Sequence, residues 1–365
     1  MSKKLMAVLL IVMLCFSFSS CSKGSDEKAN ASAAVEETKT KKATLIVNGN
    51  LGDLGFFDSA NRGMQRLKNE LGIDIHVIET GDDESKWEPA LADAADEPGD
   101  WIIAVSPSMV EPVEKLAPMY PEKKFILIDN TVSGSYDNVY CATFLQNEGS
   151  YLAGVAAGLQ TTPGGTIGFI GGMDIPPIND FLVGYIEGAR SVNPDIKVIS
   201  TYTGDYYDPA KGKEHAIVQF NQGAEVIFAA AGPAGLGSIE AATKMDKLFI
   251  GCDSDQSAAY EANGDMDSAN HIITSMIKNV GNAIFDTIKA DLEGTLPWGT
   301  SRQLGVSAGG VGLAKNAVYE KSFTDEMKAT IEEVESKIVS GEIKVSSAIG
   351  MSTAELDALR NSVKP

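Results

Sequence analysis

From residue 43 onward, short apolar runs alternate with longer segments in which apolar residues recur every three or four positions. Most of the short runs are continuously apolar, which is typical of parallel strands covered on both faces. The longer segments predict helices with one buried stripe, such as Ile277, Val280, Ile284 and Ile288. This alternation predicts an α/β fold with parallel sheets. The predicted strands span residues 43–48, 74–79, 101–105, 124–129, 139–144, 166–171, 196–202, 225–230, 247–252 and 271–276.

The first 20 residues have the pattern of a secretory signal peptide. Lys3 and Lys4 precede an apolar run over residues 5–18, which is 14 residues long and shorter than the ~20 residues of a membrane-spanning helix. The tripeptide Ser-Ser-Cys that ends at Cys21 fits a bacterial lipobox, in which the cysteine becomes the acylated first residue of the mature protein. The alternative is an ordinary secretory peptide that is cut near the same place.

The segment after Cys21 is polar up to residue 42, with Val35 as its only large apolar residue. Such a segment cannot bury enough surface to offset the entropy of ordering it. Residues 21–42 are therefore predicted to form a lipidated flexible tether, on average about 25 Å long. We expect the protein to be anchored by lipid at the extracytoplasmic face of a cell membrane, in the periplasm or on the cell surface.

Charge and composition exclude several classes of protein. The formal net charge is −20, which argues against a nucleic-acid partner. His76, His215 and His271 are far apart, so no zinc site is expected, and Cys141 and Cys252 lie in strand-like runs that suit buried free thiols. The chain has neither a Gly-x-Ser-x-Gly elbow nor a Walker-type loop. We therefore expect no enzyme activity, no cofactor and no metal.

Acidic residues follow several predicted strands. Asp53 comes after the first strand, Asp129 ends another, and Asp253 and Asp255 follow a third. Ligands of open α/β sheets bind beyond the carboxyl ends of the strands, so these carboxylates are expected to converge. The alternative is that each one caps the following helix. Lys278 lies between a strand and the next helix, where a cation opposes the helix dipole, and this position favours contact with a ligand or a carboxylate.

Aromatic residues are concentrated in two predicted loops. Phe56, Phe57 and Asp58 follow the first strand, and Tyr206 and Tyr207 precede Asp208-Pro209 in a later loop. Two rings from different lobes can stack on both faces of a flat ligand, each contributing about 1 kcal/mol. The alternative is local packing within each loop.

Ordered motifs along residues 43–351 indicate a family. They are residues 52–60 (GDLGFFDSA), 125–129 (FILID), 146–154 (QNEGSYLAG), 175–188 (IPPINDFLVGYIEG), 206–212 (YYDPAKG), 223–228 (GAEVIF), 250–256 (IGCDSDQ) and 275–278 (SMIK). With these motifs the chain resembles the basic membrane protein family, the purine nucleoside receptor-like substrate-binding lipoproteins of ABC transporters. The glycines of the third and fourth motifs are expected to let helices approach closely.

The resemblance implies a type I periplasmic-binding fold, with two Rossmann-like lobes joined by three crossovers and the ligand between them. We expect the N-terminal lobe to contain residues 43–145 and about 254–300. The C-terminal lobe is expected to contain residues 146–253 and about 301–350, followed by a tail or helix over residues 351–365.

The resemblance also implies roles for individual residues. Family members stack the base between two aromatic rings, which match Phe56 and Tyr206, and hold the ribose hydroxyls with residues that match Asp253 and Lys278. Where the family has an asparagine that helps to read the base, this chain has Phe57. The resemblance also places a backbone contact to the sugar at Gly232 and the base end of the site near Asp129. The expected ligand-binding residues are Asp53, Phe56, Phe57, Asp58, Asp129, Tyr206, Gly232, Asp253 and Lys278.

Together these features predict a lipid-anchored substrate-binding protein that delivers a nucleoside, most commonly a purine nucleoside in this family, to an ABC transporter permease. Three alternatives stay open at this point. The first is a binding protein for another flat ligand such as riboflavin. The second is an extracytoplasmic ligand sensor, and the third is a nucleosidase-type hydrolase that uses the aspartates.

Overall fold

A computed structural model describes residues 41–365 of the protein. The predicted signal peptide, the predicted acylation at Cys21 and the predicted tether up to residue 40 lie outside the described residues. The first strand begins at Lys42, one residue before its predicted start. The main-chain N–H of Lys42 donates a hydrogen bond to the carboxylate of Asp100 at 2.9 Å, which fixes the beginning of the folded body.

The described residues contain two six-stranded sheets. In chain order the strands are β1 (Lys42–Val47), β2 (Asp74–Glu79), β3 (Trp101–Val105), β4 (Lys124–Ile128), β5 (Val139–Phe144), β6 (Thr166–Gly171), β7 (Lys197–Tyr202), β8 (Ala224–Ala230), β9 (Leu248–Asp253), β10 (Ile272–Lys278), β11 (Ser301–Leu304) and β12 (Val311–Leu313). The first sheet has the order β11-β5-β4-β3-β1-β2 and is parallel throughout. The second has the order β12-β10-β9-β8-β6-β7, with only β12 antiparallel to its neighbour.

Helices cover both faces of each sheet. They are α1 (Phe56–Leu71), α2 (Trp87–Asp96), α3 (Val110–Leu116), α4 (Gln146–Gln160), α5 (Pro176–Val192), α6 (Pro209–Asn221), α7 (Pro233–Lys244), α8 (Gln256–Ala262), α9 (Met266–His271), α10 (Val280–Leu292), α11 (Ala317–Ser322), α12 (Asp325–Ser340) and α13 (Thr353–Ser362). On the first sheet, α1 and α10 pack on one face and α2 and α3 on the other. On the second sheet, α4 and α5 oppose α6 and α7.

All ten predicted strands are present, and the two doubly wound lobes of a type I periplasmic-binding fold are confirmed. The chain crosses between the sheets after β5, after β10 and after β11. The sequence analysis did not predict two of the strands, because β11 (SRQL) is polar and β12 (VGL) is only three residues long. Ile277, which we assigned to a helical stripe, lies in β10 instead, whereas Val280, Ile284 and Ile288 form the buried face of α10.

The predicted lobe boundaries need correction at two strands. We expected residues 254–300 in the N-terminal lobe, but β10 pairs with β9 in the second sheet, so the second crossover comes after Lys278. We expected residues 301–350 in the C-terminal lobe, but β11 pairs with β5 in the first sheet. An apolar run shows that a strand exists but not which sheet accepts it. The predicted tail or helix after residue 350 forms α13, which begins with a capping box between Ser352 and Glu355.

The glycines of α4 and α5 allow the close helix packing that the sequence predicts. A Cβ atom at Gly188 would overlap the carbonyl oxygen of Tyr151, and one at Gly154 would overlap the carbonyl oxygen of Tyr185. Backbone therefore packs directly on backbone at this contact, and a side-chain rotamer change alone could not make room for an added Cβ. No helix among residues 41–365 is long and apolar enough to cross a membrane.

We expect Gly188→Ala to lower the free energy of unfolding by about 3 kcal/mol, at the upper end of the usual cost of overpacking a core. The added methyl group meets backbone atoms of α4, so the two helices must separate. Gly312→Ala is the control, because a Cβ there meets no atom within 4 Å. Urea unfolding followed by circular dichroism compares the two variants. Equal midpoints would contradict the backbone contact between α4 and α5.

Candidate ligand-binding site

A cavity of about 420 Å³ lies where the carboxyl ends of the strands of both sheets face each other. This volume is in the range of cavities that hold small molecules. Loops after β1, β2, β3 and β4 form its wall on the first lobe, and the second lobe supplies loops after β6, β7 and β8 together with the ends of β9 and β10. Eight of the nine expected site residues line it, namely Asp53, Phe56, Phe57, Asp129, Tyr206, Gly232, Asp253 and Lys278.

Asp58 is the expected site residue that does not line this cavity. One of its carboxylate oxygens accepts the N–H of Gly52 at 2.8 Å, and the other accepts the N–H of Leu54 at 3.0 Å. Gly52 and Leu54 both have positive φ angles, of 93° and 50°. Asp58 therefore stabilises a left-handed stretch of the loop after β1 and does not contact the cavity directly.

Asp53 lies in the cavity wall, but its carboxylate is largely committed to backbone. It accepts hydrogen bonds from the N–H groups of Gly55, Phe57 and Asp58, at 2.9–3.0 Å. Burial raises the pKa of Asp53, although these three bonds oppose the rise. Asp255 likewise caps α8 through the N–H of Ala258. For Asp53 and Asp255 the helix-capping alternative is the better description.

The aromatic residues do not all lie in loops as expected. Phe56 and Phe57 are the first two residues of α1, whereas Tyr206 and Tyr207 lie in the loop before α6. The ring of Phe57 is buried beside Gly49, where an added Cβ would overlap it. Phe57 thus packs in the core although it also lines the cavity, while Phe56 and Tyr206 line the cavity from opposite lobes.

Lys278 lies at the centre of the polar part of the cavity. It is only 3% exposed, and its Nζ is 2.6 Å from Oδ1 of Asp129. Because Lys278 ends β10 and Asp129 follows β4, this ion pair joins the two lobes. The ammonium group is also 5.3 Å from each of three aromatic ring centres, those of Phe56, Phe144 and Phe181. Burial lowers the pKa of Lys278, but the carboxylates of Asp129 and Asp253 outweigh it and raise the pKa overall, so the side chain is charged.

Asp253 is a second carboxylate beside the ammonium group of Lys278. Burial raises its pKa to about 7, Lys278 opposes this rise, and the nearby charges of Asp129 and Asp53 add to it. Its φ angle of 65° is in the left-handed region, as is that of Asp129 at 75°. Strained backbone of this kind is common where a structure fixes functional side chains. The arrangement is suited to accept hydrogen bonds from ligand hydroxyl groups, which would stabilise the ionised form of Asp253.

The sequence analysis missed several residues of the cavity wall. Asn48 and Ser106 follow β1 and β3, and the amide nitrogen of Asn48 donates to the hydroxyl oxygen of Ser106 at 2.9 Å. The rule that ligands bind beyond strand ends could have found both, had it been applied to neutral polar residues as well as to charged ones. Ile178 and Phe181 also line the cavity, but they belong to α5, and an apolar residue in a helical pattern is normally interpreted as part of the hydrophobic core.

Further carboxylates, those of Asp82, Glu84 and Asp205, line the same cavity. Asp205 is paired with Lys211, so the charge of that carboxylate is balanced. Among residues 41–365 no group of three or more His, Cys, Asp or Glu side chains is placed to hold a metal ion. The site therefore combines aromatic surfaces, a buried ammonium group and an excess of carboxylates, a set that suits a neutral ligand with hydroxyl groups better than an anionic one.

Comparisons with known proteins show which proteins this chain is similar to. A family model described as "Bmp: ABC transporter substrate-binding protein PnrA-like" matches residues 40–348. The chain is 32% identical over 337 residues to the "ABC transporter nucleoside-binding protein BmpA" of Lactococcus lactis subsp. cremoris, covering 87% of this chain and 93% of that protein. It is 30% identical to "Basic membrane protein D" of Borreliella burgdorferi, with 89% and 91% covered. Among solved structures, an ABC transporter solute-binding protein of Aeropyrum pernix K1 superposes with a TM-score of 0.76 at 29% identity, covering 89% of this chain and 99% of that one.

Proposed function

The chain belongs to the Bmp family of PnrA-like ABC transporter substrate-binding proteins, and on that basis we propose that its ligand is a nucleoside. One observation carries the proposal. The charged group of Lys278, its partner Asp129 and the nearby Asp253 lie in the same cavity as Phe56 and Tyr206. A nucleoside has the matching halves, because its ribose offers hydroxyl donors and acceptors and its base offers a flat apolar face. The name of the Lactococcus relative supports the same ligand class.

In this proposal Asp253 and Lys278 hold the ribose hydroxyls. The carboxylate accepts hydrogen bonds from two hydroxyl groups, and the ammonium group donates one to a sugar oxygen while it remains paired with Asp129. Gly232 has a φ of 55° and lies against Tyr206, with an added Cβ 3.5 Å from the Cβ of that tyrosine. A side chain there would be strained and would crowd the cavity, so we assign Gly232 to a close backbone approach to the sugar.

The base is proposed to lie between Phe56 and Tyr206, one ring from each lobe. Phe57 replaces the base-reading asparagine of the family and is packed beside Gly49, so it supplies no polar contact to a base. Stacking accepts many flat rings, and the protein is therefore expected to bind several nucleosides rather than one. The excess of carboxylates in the wall disfavours a phosphate group, which excludes nucleotides.

Binding is proposed to occur without chemistry. The carboxylate of Asp53 is occupied by three backbone N–H groups and that of Asp129 by Lys278. Neither is therefore free to complete a hydrolytic metal site beside Asp253. The family model is described as an ABC transporter substrate-binding protein and the Lactococcus relative as a nucleoside-binding protein, and the same role here requires release of an unchanged ligand to a transporter permease.

Mass spectrometry of small molecules released from the purified, denatured protein tests the proposed ligand. We expect an intact nucleoside to be released in stoichiometric amounts. Release of riboflavin or another flat compound would replace the nucleoside proposal by the other ligand class. If hypoxanthine accumulates in proportion to the amount of protein when inosine is added, the protein is a nucleosidase-type hydrolase and the binding role is wrong.

We also propose that Cys21 is acylated and anchors the protein to the membrane at its extracytoplasmic face. The support comes from the lipobox-like tripeptide and the polar segment that follows it. Metabolic labelling with palmitate is expected to mark the wild type but not Cys21→Ala, and the variant is expected to leave the membrane fraction. An unlabelled wild type that sediments with membranes to the same extent as the variant would overturn this anchor.

A further inference from the structure

The C-terminal helix α13 inserts one arginine into the second lobe. The side chain of Arg360 is only 14% exposed. Its guanidinium nitrogens lie 2.7 and 3.3 Å from the carboxylate oxygens of Asp174, 2.9 Å from Oδ1 of Asn179 and 2.5 Å from the hydroxyl oxygen of Tyr202, and these acceptors share its N–H groups. It also lies over the Tyr202 ring, 5.2 Å from its centre.

The three partners of Arg360 also bond to one another. Asn179 donates to Asp174 at 2.8 Å, and the Tyr202 hydroxyl donates to Asn179 at 2.6 Å. Asp174 belongs to the loop between β6 and α5, Asn179 to the first turn of α5, and Tyr202 to the end of β7. One planar cation with several donors therefore ties three separate elements together, which a lysine could not do with the same geometry.

The segment that this network holds is also a wall of the ligand cavity. Met173, Ile175, Pro177 and Ile178 line the cavity, and Asp174 and Asn179 lie between or beside them in the sequence. One side of residues 173–179 thus faces the ligand space while its polar side chains contact Arg360. A displacement of the network would move the apolar wall with it, because Asp174 and Asn179 are directly bonded in sequence to residues of that wall.

We propose that Arg360 is a positioning residue for ligand binding, which fixes the apolar wall of residues 173–178 without touching the ligand. Arg360 lies beyond the residues that the family model matches. Its helix is docked independently of the arginine, since the carbonyl of Val363 accepts the N–H of Val198 at 2.7 Å and Leu356 is buried against Val183. The arginine is therefore available to position the loop rather than to attach the helix. The effect on affinity rests on the proposed function, whereas the effect on the loop does not.

The test compares Arg360→Met with Arg190→Met in the full chain. Arg190 is an exposed residue of α5 that contacts the same helix through Ser362, at 3.3 Å, but no residue of the loop. Two quantities are measured, hydrogen exchange of residues 172–179 without ligand and the Kd for guanosine by calorimetry. We expect Arg360→Met to speed the exchange about tenfold and to weaken guanosine binding about 2- to 30-fold, with Arg190→Met at wild-type values.

Two further variants keep the test decisive. Asp174→Asn changes a half-exposed residue of the loop itself, so it tests the network without removing a buried cation. It is expected to shift both quantities in the same direction as Arg360→Met, and Arg360→Lys is expected to restore them only in part. A lowered unfolding midpoint with unchanged exchange and unchanged Kd would overturn the inference. If the wild type binds no nucleoside, the proposed function fails, and the exchange of residues 172–179 alone decides the role of Arg360.

Discussion

Replacing Lys278 with methionine is expected to lower the free energy of unfolding by about 3–5 kcal/mol at pH 8 and to remove nucleoside binding. The substitution preserves most of the side-chain volume but deletes the charge that Asp129 and Asp253 share. Breaking a buried ion pair at one partner leaves the other charge without compensation, which is the reason for the size of the effect. The three aromatic rings around the ammonium group would also lose their cation contact.

The loss of stability should depend on pH in a definite direction. Lys278 opposes the rise in the pKa of Asp253 that burial causes, so without Lys278 this pKa rises further in the folded protein, and folding then favours the protonated form of Asp253. The destabilisation is therefore smallest near pH 5 and grows as pH increases to 8. Lys115→Met is the control, because Lys115 and Glu88 form an ion pair between half-exposed side chains, worth less than about 1 kcal/mol. Urea unfolding at both pH values that shows equal, small effects for the two variants would contradict the central role of Lys278.

The second large effect is expected at Asp253, where asparagine should weaken binding of guanosine about 10- to 150-fold. Hydrogen bonds to a charged group contribute roughly 1.5–3 kcal/mol, and the amide keeps the shape of the carboxylate but not its charge. Wild-type affinity is expected to fall as pH drops below about 7, the pKa of this carboxyl group, because the ionised form accepts the hydroxyls. The affinity of Asp253→Asn should lack this dependence on pH.

The same substitution is expected to stabilise the ligand-free protein at pH 8. The folded pKa of about 7 is above the usual value of 3.8, so the folded state retains a proton that the unfolded state has lost between these values. Stability of the wild type therefore falls as pH rises through that window, and the ionised carboxylate remains a cost above it. Thermal unfolding at pH 5 and pH 8 measures this difference. A gain in stability that is equal at both pH values, or guanosine affinity equal to the wild type, would contradict the assignment.

The residues at the ends of the strands show which parts of the site the sequence predicts and which it does not. Continuous apolar runs predicted ten strands, and the rule that ligands bind beyond strand ends predicted that Asp129 and Asp253 converge. Both line one cavity, together with Lys278, which was selected for its unfavourable position at the start of a helix. The same rule did not separate ligand-facing aspartates from helix caps. Asp53 and Asp129 both follow strands, yet backbone N–H groups surround the first and the ammonium of Lys278 meets the second. Asp53 finds its partners within five residues, whereas the partner of Asp129 is distant in the sequence, and no local pattern distinguishes the two cases.

Other errors have the same cause. The sheet that accepts β10 and the sheet that accepts β11 are decided by pairing across the fold, not by the composition of either strand. Phe57 looked like a loop aromatic, but Gly49 leaves space for its ring inside the lobe. Arg360 gave no sequence signal, because Asp174, Asn179 and Tyr202 are between 158 and 186 residues away from it.

Calorimetry with guanosine, guanine and 2′,3′-dideoxyguanosine tests the central claim most directly, because the three compounds share a base and differ in the sugar hydroxyls. The account predicts that guanosine binds, and that guanine and the dideoxy compound bind at least about tenfold more weakly, since neither offers the diol to Asp253 and Lys278. Equal affinity for all three compounds, or tight binding of riboflavin with no binding of guanosine, would contradict it.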